Sequence, residues 1–382
     1  GRQAQTVVGP AGFRRRSDGG DAGRPRATLE LDWAHGFDGR RAKSLVWVGA
    51  EEFAYPLAKL VVLQRLQPSS QRYFRGHSGP VSCLAYCQAT NLCASGQLQG
   101  KDPSAAPFVC IWSPFDCGLV TTLAYHQARI LGVAFSADGE RVFSLGGSEE
   151  AGHTLAVWTG FVPTILARYD KDGVLPMVLR EPTLALAAGG VPGFALTASP
   201  TNGHKNGDWL ASYDAGLGDQ QGGHLYFWSI LPAGSQRSAA AASRSRNSNV
   251  EAASGCRLDG KRAMGVFNNT VGLRPRRVHH VAWGAAPGRS YVCGDNGIFY
   301  IFDRAAAIAQ VQVCSGPLGA SCEVPGVGLV LFSGGGSESI LYLAGLDMLL
   351  REKAPSSNNS CFTPVRLEAI GGSLLCSTSV AQ

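Results

Sequence analysis

The sequence predicts an all-β fold of the propeller type, in which short strands repeat as four-stranded blades. Gly76-His77 opens a run of short apolar segments that ends at Trp112, and units that run from Gly-His to Trp in about 40–45 residues are typical of propeller blades. The 49 glycines indicate many tight turns between these strands. No long helix is predicted, and only residues 303–310 have a modestly helical composition.

Blade-like units can be placed along most of the chain. A second unit begins near His126 and ends at Trp158, and its Ser136-Ala137-Asp138-Gly139 segment between two apolar runs predicts a hairpin. Later units are expected to end at Trp228, to span residues 278–303 and 328–343, and to begin again at Pro364, where at least one strand of the last unit is missing. Before the first unit, residues 45–48 and 57–63 are strand-like, with a turn at 49–52.

The composition indicates a chain that can bury a large core and that needs no membrane helix. Hydrophobic residues make up 45% of the chain and charged residues 16%, and no run of 18 apolar residues occurs. The polar, Arg-rich N-terminus does not resemble a secretory signal. The 11 cysteines lack Cys-x-x-Cys spacing, which favours a reducing compartment and thiols that act as small hydrophobes. A zinc site at Cys83 and Cys87 is rejected because the ligand spacing is absent.

The sequence contains no pattern that indicates catalysis. The glycine-rich segment 189–193 is not followed by Lys-Ser/Thr, as a phosphate-binding loop requires. Neither a Gly-x-Ser-x-Gly elbow nor a His-Glu-x-x-His motif occurs. We therefore predict a protein that is not an enzyme, with no catalytic residue, no metal and no cofactor.

Positive charge is concentrated in two segments of the chain. Residues 1–28 carry six arginines against two aspartates, a net charge of +4, and residues 235–277 have a net charge of +7, so that the total of +6 leaves −5 for the rest. We interpret 1–28 as a basic extended arm and the region near 233–277 as a basic low-complexity insert that reaches an anionic partner. A solubilising tail is the alternative for 1–28. His279 and His280 are interpreted either as phosphate ligands or as a solvated loop edge. The candidate contacts with the anionic partner, tubulin, are Arg14, Arg15, Arg16, Arg244, Arg246, Arg274, Arg276 and Arg277.

A motif that precedes the first blade resembles a known family. The spacing Leu-x-Leu-x-Trp-x-x-Gly-aromatic-x-Gly-Arg is similar to the hydrophobic motif (HELP) of echinoderm microtubule-associated-protein-like proteins. The matching residues are Leu29, Leu31, Trp33, Gly36, Phe37, Gly39 and Arg40. The resemblance implies a HELP segment at 29–75 built into a WD40-like propeller at 76–382. It further implies the first propeller of a tandem atypical pair, with its last blade incomplete.

The chain also departs from this family pattern. Ser44 stands near the position of a usual Asn, the basic insert is not a family feature, and 341–343 lack the expected Trp. We expect His77, Ser95 and Trp112 to form the hydrogen-bonded side-chain chain that stabilises a blade, although the Asp that usually joins them has no clear counterpart between Gln97 and Pro107. Trp158 and Trp228 have the same structural role. Trp33, Trp47 and Phe37 are interpreted as core residues, and a partner-binding aromatic patch is the alternative.

The resemblance implies a non-enzymatic microtubule-associated protein. Its propeller faces would dock on tubulin or the microtubule lattice, and its basic arms would add salt-sensitive attraction. Other microtubule-associated or axonemal proteins are expected partners, in the cytoplasm and cytoskeleton and in the axoneme of a cilium or flagellum. One alternative is a general WD40 interaction scaffold without tubulin contact. The other is a nucleic-acid-linked propeller with Arg-rich arms, which is disfavoured because Phe13 is the only aromatic residue in the N-terminal arm.

Overall fold

The chain forms six β-sheets that follow one another in sequence. The computed structural model describes residues 31–37, 45–100, 106–148, 152–160, 177–188, 195–198, 209–213, 225–232, 250–251, 256–263, 278–286, 288–312, 316–324, 328–333, 340–344 and 365–367. Residues 1–34 and 35–382 form two compact units. Residues 31–34 of the first unit have no regular secondary structure, and all the strands belong to the second.

The first sheet is built from residues that precede the Gly76-His77 blade opening. It is an antiparallel meander in which each strand pairs with the next. Ala54, Val61, Val62 and Leu63 are fully buried in it. The strand-like runs expected at 45–48 and 57–63 therefore belong to a complete four-stranded sheet. Its strands are β1 (Val46–Trp47), β2 (Glu52–Leu57), β3 (Leu60–Arg65) and β4 (Ser70–Phe74).

The second and third sheets correspond to the first two predicted blades. The second contains β5 (Val81–Cys87), β6 (Leu92–Gln97), β7 (Val109–Trp112) and β8 (Leu119–Leu123). The third begins with β9 (Ile130–Phe135), β10 (Val142–Ser148) and β11 (Gly152–Trp158). Next, β12 (Met177–Leu179) pairs in parallel with β8, and β13 (Leu184–Ala188) completes the third sheet.

The hairpin predicted between β9 and β10 is confirmed. Gly139 has φ +73° and donates its N–H to the Ser136 carbonyl at 3.0 Å. A Cβ there would lie 2.5 Å from the Thr90 side chain. Both the left-handed backbone and the lack of space therefore favour glycine.

The remaining sheets cover the C-terminal half of the chain. The fourth contains β14 (Ala195–Ala198), β15 (Trp209–Tyr213), β16 (Leu225–Pro232), β17 (Val250–Glu251) and β18 (Cys256–Arg262). The fifth contains β19 (Val278–Trp283), β20 (Arg289–Gly294), β21 (Ile298–Asp303) and β22 (Ala306–Gln312). The sixth contains β23 (Leu318–Val324), β24 (Gly328–Ser333), β25 (Ile340–Ala344) and β26 (Val365–Leu367).

The first strands of successive sheets lie beside one another, as blades do in a propeller. From the second sheet onward, β5 contacts β9, β9 contacts β14, β14 contacts β19, and β19 contacts β23. Hydrophobic clusters lie between neighbouring sheets; one joins Ile111 and Leu123 of the second to Val133 and Trp158 of the third. The predicted all-β, WD40-like propeller fold is thereby confirmed.

Three local expectations differ from the structure. Residues 303–310 are not helical, because 306–312 form β22 and pair with β21; sheet pairing overrides the weak helical propensity of an Ala-rich run. The basic insert near 233–277 contains β17 and β18, which pair within the fourth sheet. The segment at Pro364 does not open a further sheet, because β26 pairs with β25 and completes the sixth.

Candidate functional site

A hydrogen-bonded chain of buried side chains crosses the second sheet. The His77 imidazole lies with Nε2 2.6 Å from Ser95 Oγ and Nδ1 3.0 Å from Gln97 Oε1. Trp112 Nε1 donates to Ser95 Oγ at 3.0 Å. His77, Ser95, Gln97 and Trp112 are all buried. The predicted trio is therefore brought together, and Gln97 occupies the place where an aspartate was sought.

The direction of each bond in this chain follows from groups that can only donate. The Ser78 backbone N–H donates to Gln97 Oε1 at 3.2 Å, and Gln97 Nε2 donates to Ser78 Oγ at 3.0 Å. Since Gln97 Oε1 is an acceptor, His77 carries its proton on Nδ1, and Nε2 accepts from the Ser95 hydroxyl. Both ring nitrogens are then satisfied by a neutral imidazole.

The third sheet repeats the core of this arrangement with one change. His126 Nε2 lies 2.8 Å from Ser144 Oγ, and Trp158 Nε1 donates to Ser144 Oγ at 2.9 Å. Gly146 follows Ser144 by two residues, as Gln97 follows Ser95. A Cβ on Gly146 would lie 2.6 Å from His126 Cγ, so the imidazole occupies the space that a side chain would need. Ser144 was missed in the sequence, although both serines follow their histidine by 18 residues.

Burial keeps both histidines neutral. Desolvation lowers the pKa of His77 and the pKa of His126 from 6.5 to about 4, opposed in His77 by the hydrogen bond to Gln97 and in His126 by the one at Ser144. Desolvation also raises the pKa of the Cys110 thiol to about 12. Buried neutral groups whose bonds lie within a blade stabilise that blade, and this geometry gives His77 and Ser95 a structural role.

Trp228 of β16 is buried by packing in the fourth sheet. Its ring stacks on Tyr226 with centroids 5.6 Å apart. A Cβ on Gly260 of the paired strand β18 would lie 2.3 Å from the Trp228 ring, so glycine is required there. Trp112, Trp158 and Trp228 are thus all buried; the first two end their strands, and Trp228 lies in the middle of β16.

The HELP-like residues that the structure describes are more exposed than expected. Leu31 is 40% exposed, Trp33 38% and Phe37 53%. The interpretation of Trp33 and Phe37 as core residues is therefore wrong. Gly36 has φ +135°, in the region that favours glycine. Leu29, Gly39 and Arg40 lie outside the described residues.

Four aromatic rings follow one another along the first sheet, and we call them the aromatic row. The centroid distances are 5.9 Å from Phe37 to Tyr55, 5.9 Å from Tyr55 to Phe53 and 5.5 Å from Phe53 to Trp47. Tyr55 is buried, whereas Phe53 and Trp47 are half-buried. The exposed Phe37 and the half-buried Trp47 can pack against an apolar partner surface, which corresponds to the alternative interpretation of these two residues.

The candidate anionic-partner contacts all lie outside the described residues. These are Arg14, Arg15, Arg16, Arg244, Arg246, Arg274, Arg276 and Arg277. The neighbouring His279 and His280 do not form a loop edge, because both belong to β19. His280 is buried and its Nδ1 accepts from the Ser321 N–H at 3.3 Å, so it is not available as a phosphate ligand.

The described part of the chain contains neither a metal-ligand cluster nor a disulfide. No group of three or more His, Cys, Asp or Glu side chains in these ranges could hold a metal ion. Seven cysteines in these ranges form no disulfide, and Cys93, Cys110 and Cys293 are fully buried as small apolar groups. Within the described ranges there is also no helix long and apolar enough to cross a membrane.

Comparison with known proteins gives relatives that include proteins named for microtubules and proteins named for cilia and flagella. The chain is 30% identical over 138 residues to the 77 kDa echinoderm microtubule-associated protein of Strongylocentrotus purpuratus. It is 31% identical over 134 residues to human cilia- and flagella-associated protein 52. It is 30% identical over 166 residues to human echinoderm microtubule-associated protein-like 3. Over the matched part, the chain is similar to echinoderm microtubule-associated proteins and to cilia- and flagella-associated protein 52.

The relationship covers part of each molecule. The matches span 35% to 40% of this chain and 18% to 21% of the relatives, so the matched part corresponds to about a fifth of each relative's length. No protein-family model matches the chain. The resemblance predicted from the sequence is confirmed by these relatives.

Proposed function

We propose that this chain is a non-enzymatic, microtubule-associated propeller protein that docks on tubulin in the microtubule lattice. The observation that carries the proposal is its similarity to a protein named as microtubule-associated and to one named as cilia- and flagella-associated. A rigid set of blades suits this role because docking then costs little conformational entropy. We assign it to the cytoplasm and cytoskeleton, and to the axoneme of a cilium or flagellum, with other axonemal proteins as partners.

Two contributions to binding are proposed. The basic segments at 1–28 and 235–277, with net charges of +4 and +7, attract the acidic tails of tubulin over a range that salt shortens. The propeller contacts the folded lattice through short-range packing, which salt affects little. The first contribution raises the association rate and the second holds the complex together.

Co-sedimentation with taxol-stabilised microtubules tests both contributions. The full chain is mixed with intact microtubules and with microtubules stripped of their acidic tails, at low and moderate salt. Binding that survives removal of the tails supports docking of the propeller on the lattice. Binding that disappears with the tails reduces the interaction to electrostatic attraction by the basic segments.

Charge variants separate the basic segments from the total charge. The first variant replaces Arg14, Arg15 and Arg16 with Gln, and the matched control replaces the exposed Lys59, Arg65 and Arg304 with Gln. Both lose three positive charges. We expect weaker, less salt-sensitive binding to intact microtubules in the first and unchanged binding in the control. An equal loss in both would show that only net charge matters.

Co-sedimentation can also favour one of the two alternative functions. If the chain sediments with neither kind of microtubule, a protein-interaction scaffold without tubulin contact becomes the better function, and the aromatic row on the first sheet, with its exposed Phe37, favours such a scaffold. Strong salt-dependent binding to RNA together with indifference to tubulin would favour the nucleic-acid-linked alternative.

A further inference from the structure

The turn between β7 and β8 holds a phenylalanine almost fully in solvent. Phe115 is 83% exposed, more than any other large hydrophobic side chain in the described residues. The preceding Trp112, Ser113 and Pro114 are buried. The Phe115 ring therefore projects into solvent directly after buried residues of the blade. It is exposed although the residues before it are packed.

Hydrogen bonds within the turn hold its backbone in one shape. Ser113 N donates to the Gly118 carbonyl at 2.9 Å, and Phe115 N donates to Ser113 Oγ at 3.3 Å. Gly118 N donates to Asp116 Oδ1 at 2.9 Å. The Asp116 carboxylate is thereby committed to an Asx-type turn.

The guanidinium of Arg72, from the neighbouring sheet, also donates hydrogen bonds to this turn. Arg72 Nη1 donates to the Pro114 carbonyl at 2.8 Å and to the Phe115 carbonyl at 2.6 Å. Its Nη2 lies 2.7 Å from Glu52 Oε1 and 2.8 Å from Glu52 Oε2. Arg72 on β4 thus links β2 of the first sheet to a turn of the second, in the planar geometry that only Arg provides.

An exposed ring whose backbone is already ordered suits a binding anchor. Aromatic residues are prominent among the few interface positions that carry most of the binding energy, and pre-ordering removes much of the entropic cost. Leu66, 47% exposed, lies in the corresponding turn of the first sheet, between β3 and β4. Two apolar side chains are therefore presented by equivalent turns of adjacent blades.

The net charge of the chain indicates what kind of contact the Phe115 turn can make with tubulin, the proposed partner. Outside the two basic segments, the second of which includes β17 and β18, the chain has a net charge of −5, so the remaining part of the propeller gains no attraction to an acidic lattice from its net charge. A docking contact made by that part, which includes the Phe115 turn, then depends on the packing of apolar side chains rather than on net charge. We propose that Phe115 is the apolar anchor by which the propeller docks on the folded tubulin lattice, an inference that rests on the proposed microtubule association.

The test is co-sedimentation of the full chain with tail-stripped microtubules at moderate salt, where the contribution of the basic segments is smallest. Phe115→Ser is expected to weaken binding about 30-fold, as loss of a central aromatic anchor does. The matched control Val178→Ser removes a half-exposed apolar side chain from β12 of the same sheet, and its binding should be unchanged. Circular dichroism and the urea midpoint check that both variants are folded.

Two further variants examine the turn itself. Asp116→Asn keeps an acceptor for the Gly118 N–H and removes the negative charge, so it should bind as well as the natural chain or better. Arg72→Gln leaves the ring but loosens the turn, so it should bind with intermediate affinity. Loss of binding in Asp116→Asn would mean that the turn recognises a basic group, and the inference would be overturned.

The outcomes for the proposed function and for the anchor are separate. If the unmodified chain fails to sediment with either kind of microtubule, the proposed function is wrong. If the unmodified chain binds tail-stripped microtubules and Phe115→Ser binds equally well, the function stands and the anchor is wrong. Equal weakening in Phe115→Ser and Val178→Ser also overturns the anchor, because the effect is then not specific to the turn.

Discussion

The second and third sheets differ from the fifth in how buried polar groups are satisfied. In the second and third, a histidine, a serine and a tryptophan are joined by hydrogen bonds. In the fifth, Ser290 Oγ and Trp283 Nε1 are buried and have no hydrogen-bond partner within the described part of the chain. A four-stranded blade can therefore form without hydrogen bonds that join a histidine, a serine and a tryptophan.

The fifth sheet is instead packed through its aromatic residues. Tyr291 and Phe299 stack with centroids 5.7 Å apart, and Phe302 lies 5.1 Å from Phe227 of the fourth sheet. Tyr291 also donates its hydroxyl hydrogen to Glu323 Oε2 at 2.8 Å, across to the sixth sheet. Packing of large aromatic side chains therefore stabilises the fifth sheet, whereas the hydrogen-bonded polar chain contributes to the stability of the second and third sheets.

The largest expected effect is a loss of stability in mild acid. For His77 and His126 the pKa is about 4 in the folded chain and 6.5 when exposed, so the unfolded chain takes up protons first as the pH falls. Their contribution is complete above pH 6.5 and is lost between pH 6.5 and 4. The free energy of unfolding should fall by about 1 kcal/mol per histidine at pH 5.5 and by about 3 kcal/mol per histidine near pH 4.

Urea unfolding at pH 7.5 and pH 5.5 measures this effect. The variant His77→Gln removes one of the two buried histidines whose pKa is lowered, so its loss of stability over the same interval should be about 1 kcal/mol smaller than that of the natural chain, whatever its stability at pH 7.5. An unchanged pH dependence in His77→Gln would show that this histidine is not the group that titrates.

The next effect compares two fully buried serines. Ser95→Ala leaves Trp112 Nε1 and His77 Nε2 without their shared partner, and two unpaired buried groups should cost about 2–4 kcal/mol of unfolding free energy. Ser290→Ala removes a hydroxyl that pairs with no described group, so its stability should change by less than about 0.5 kcal/mol. Urea midpoints at pH 7.5 measure both, and similar losses would contradict the distinction between the sheets.

Much of the blade core could be predicted from the sequence because its signals are local. Trp112, Trp158 and Trp228 each end a short apolar run, and the glycine of the β9–β10 hairpin follows from its turn residues. The role of Gln97 does not follow from the family pattern, which has a carboxylate, whereas the imidazole needs only an oxygen acceptor, which an amide also offers. The same separation of 18 residues, from His126 to Ser144, is present in the sequence and indicates the second histidine–serine pair.

Features that depend on distant residues could not be predicted. The shape of the Phe115 turn depends on Arg72, which is 43 residues earlier in the chain. The strand at 306–312 exists because β21 offers an edge, although its composition favoured a helix. The exposure of Trp33 and Phe37 is likewise not a property of their motif, since tryptophan and phenylalanine in apolar patterns are mostly buried.

A smaller change in stability at neutral pH than that of Ser95→Ala is expected when Gln97 is replaced with an isosteric acid. Gln97→Glu puts a carboxylate beside His77 Nδ1, and a neighbouring negative charge favours the imidazolium and raises the pKa of His77. The Ser78 hydroxyl can turn to donate to the new carboxylate, so the unfolding free energy at pH 7.5 should change by about 1 kcal/mol or less.

Ring NMR signals followed against pH report the titration of each histidine separately. His126 provides an internal control, because Gly146 leaves it without an equivalent neighbour; its titration should stay unchanged while that of His77 moves toward neutral pH. If both histidines still titrate together, Gln97 does not control the charge of the second sheet, and the difference between the two polar chains has no electrostatic consequence.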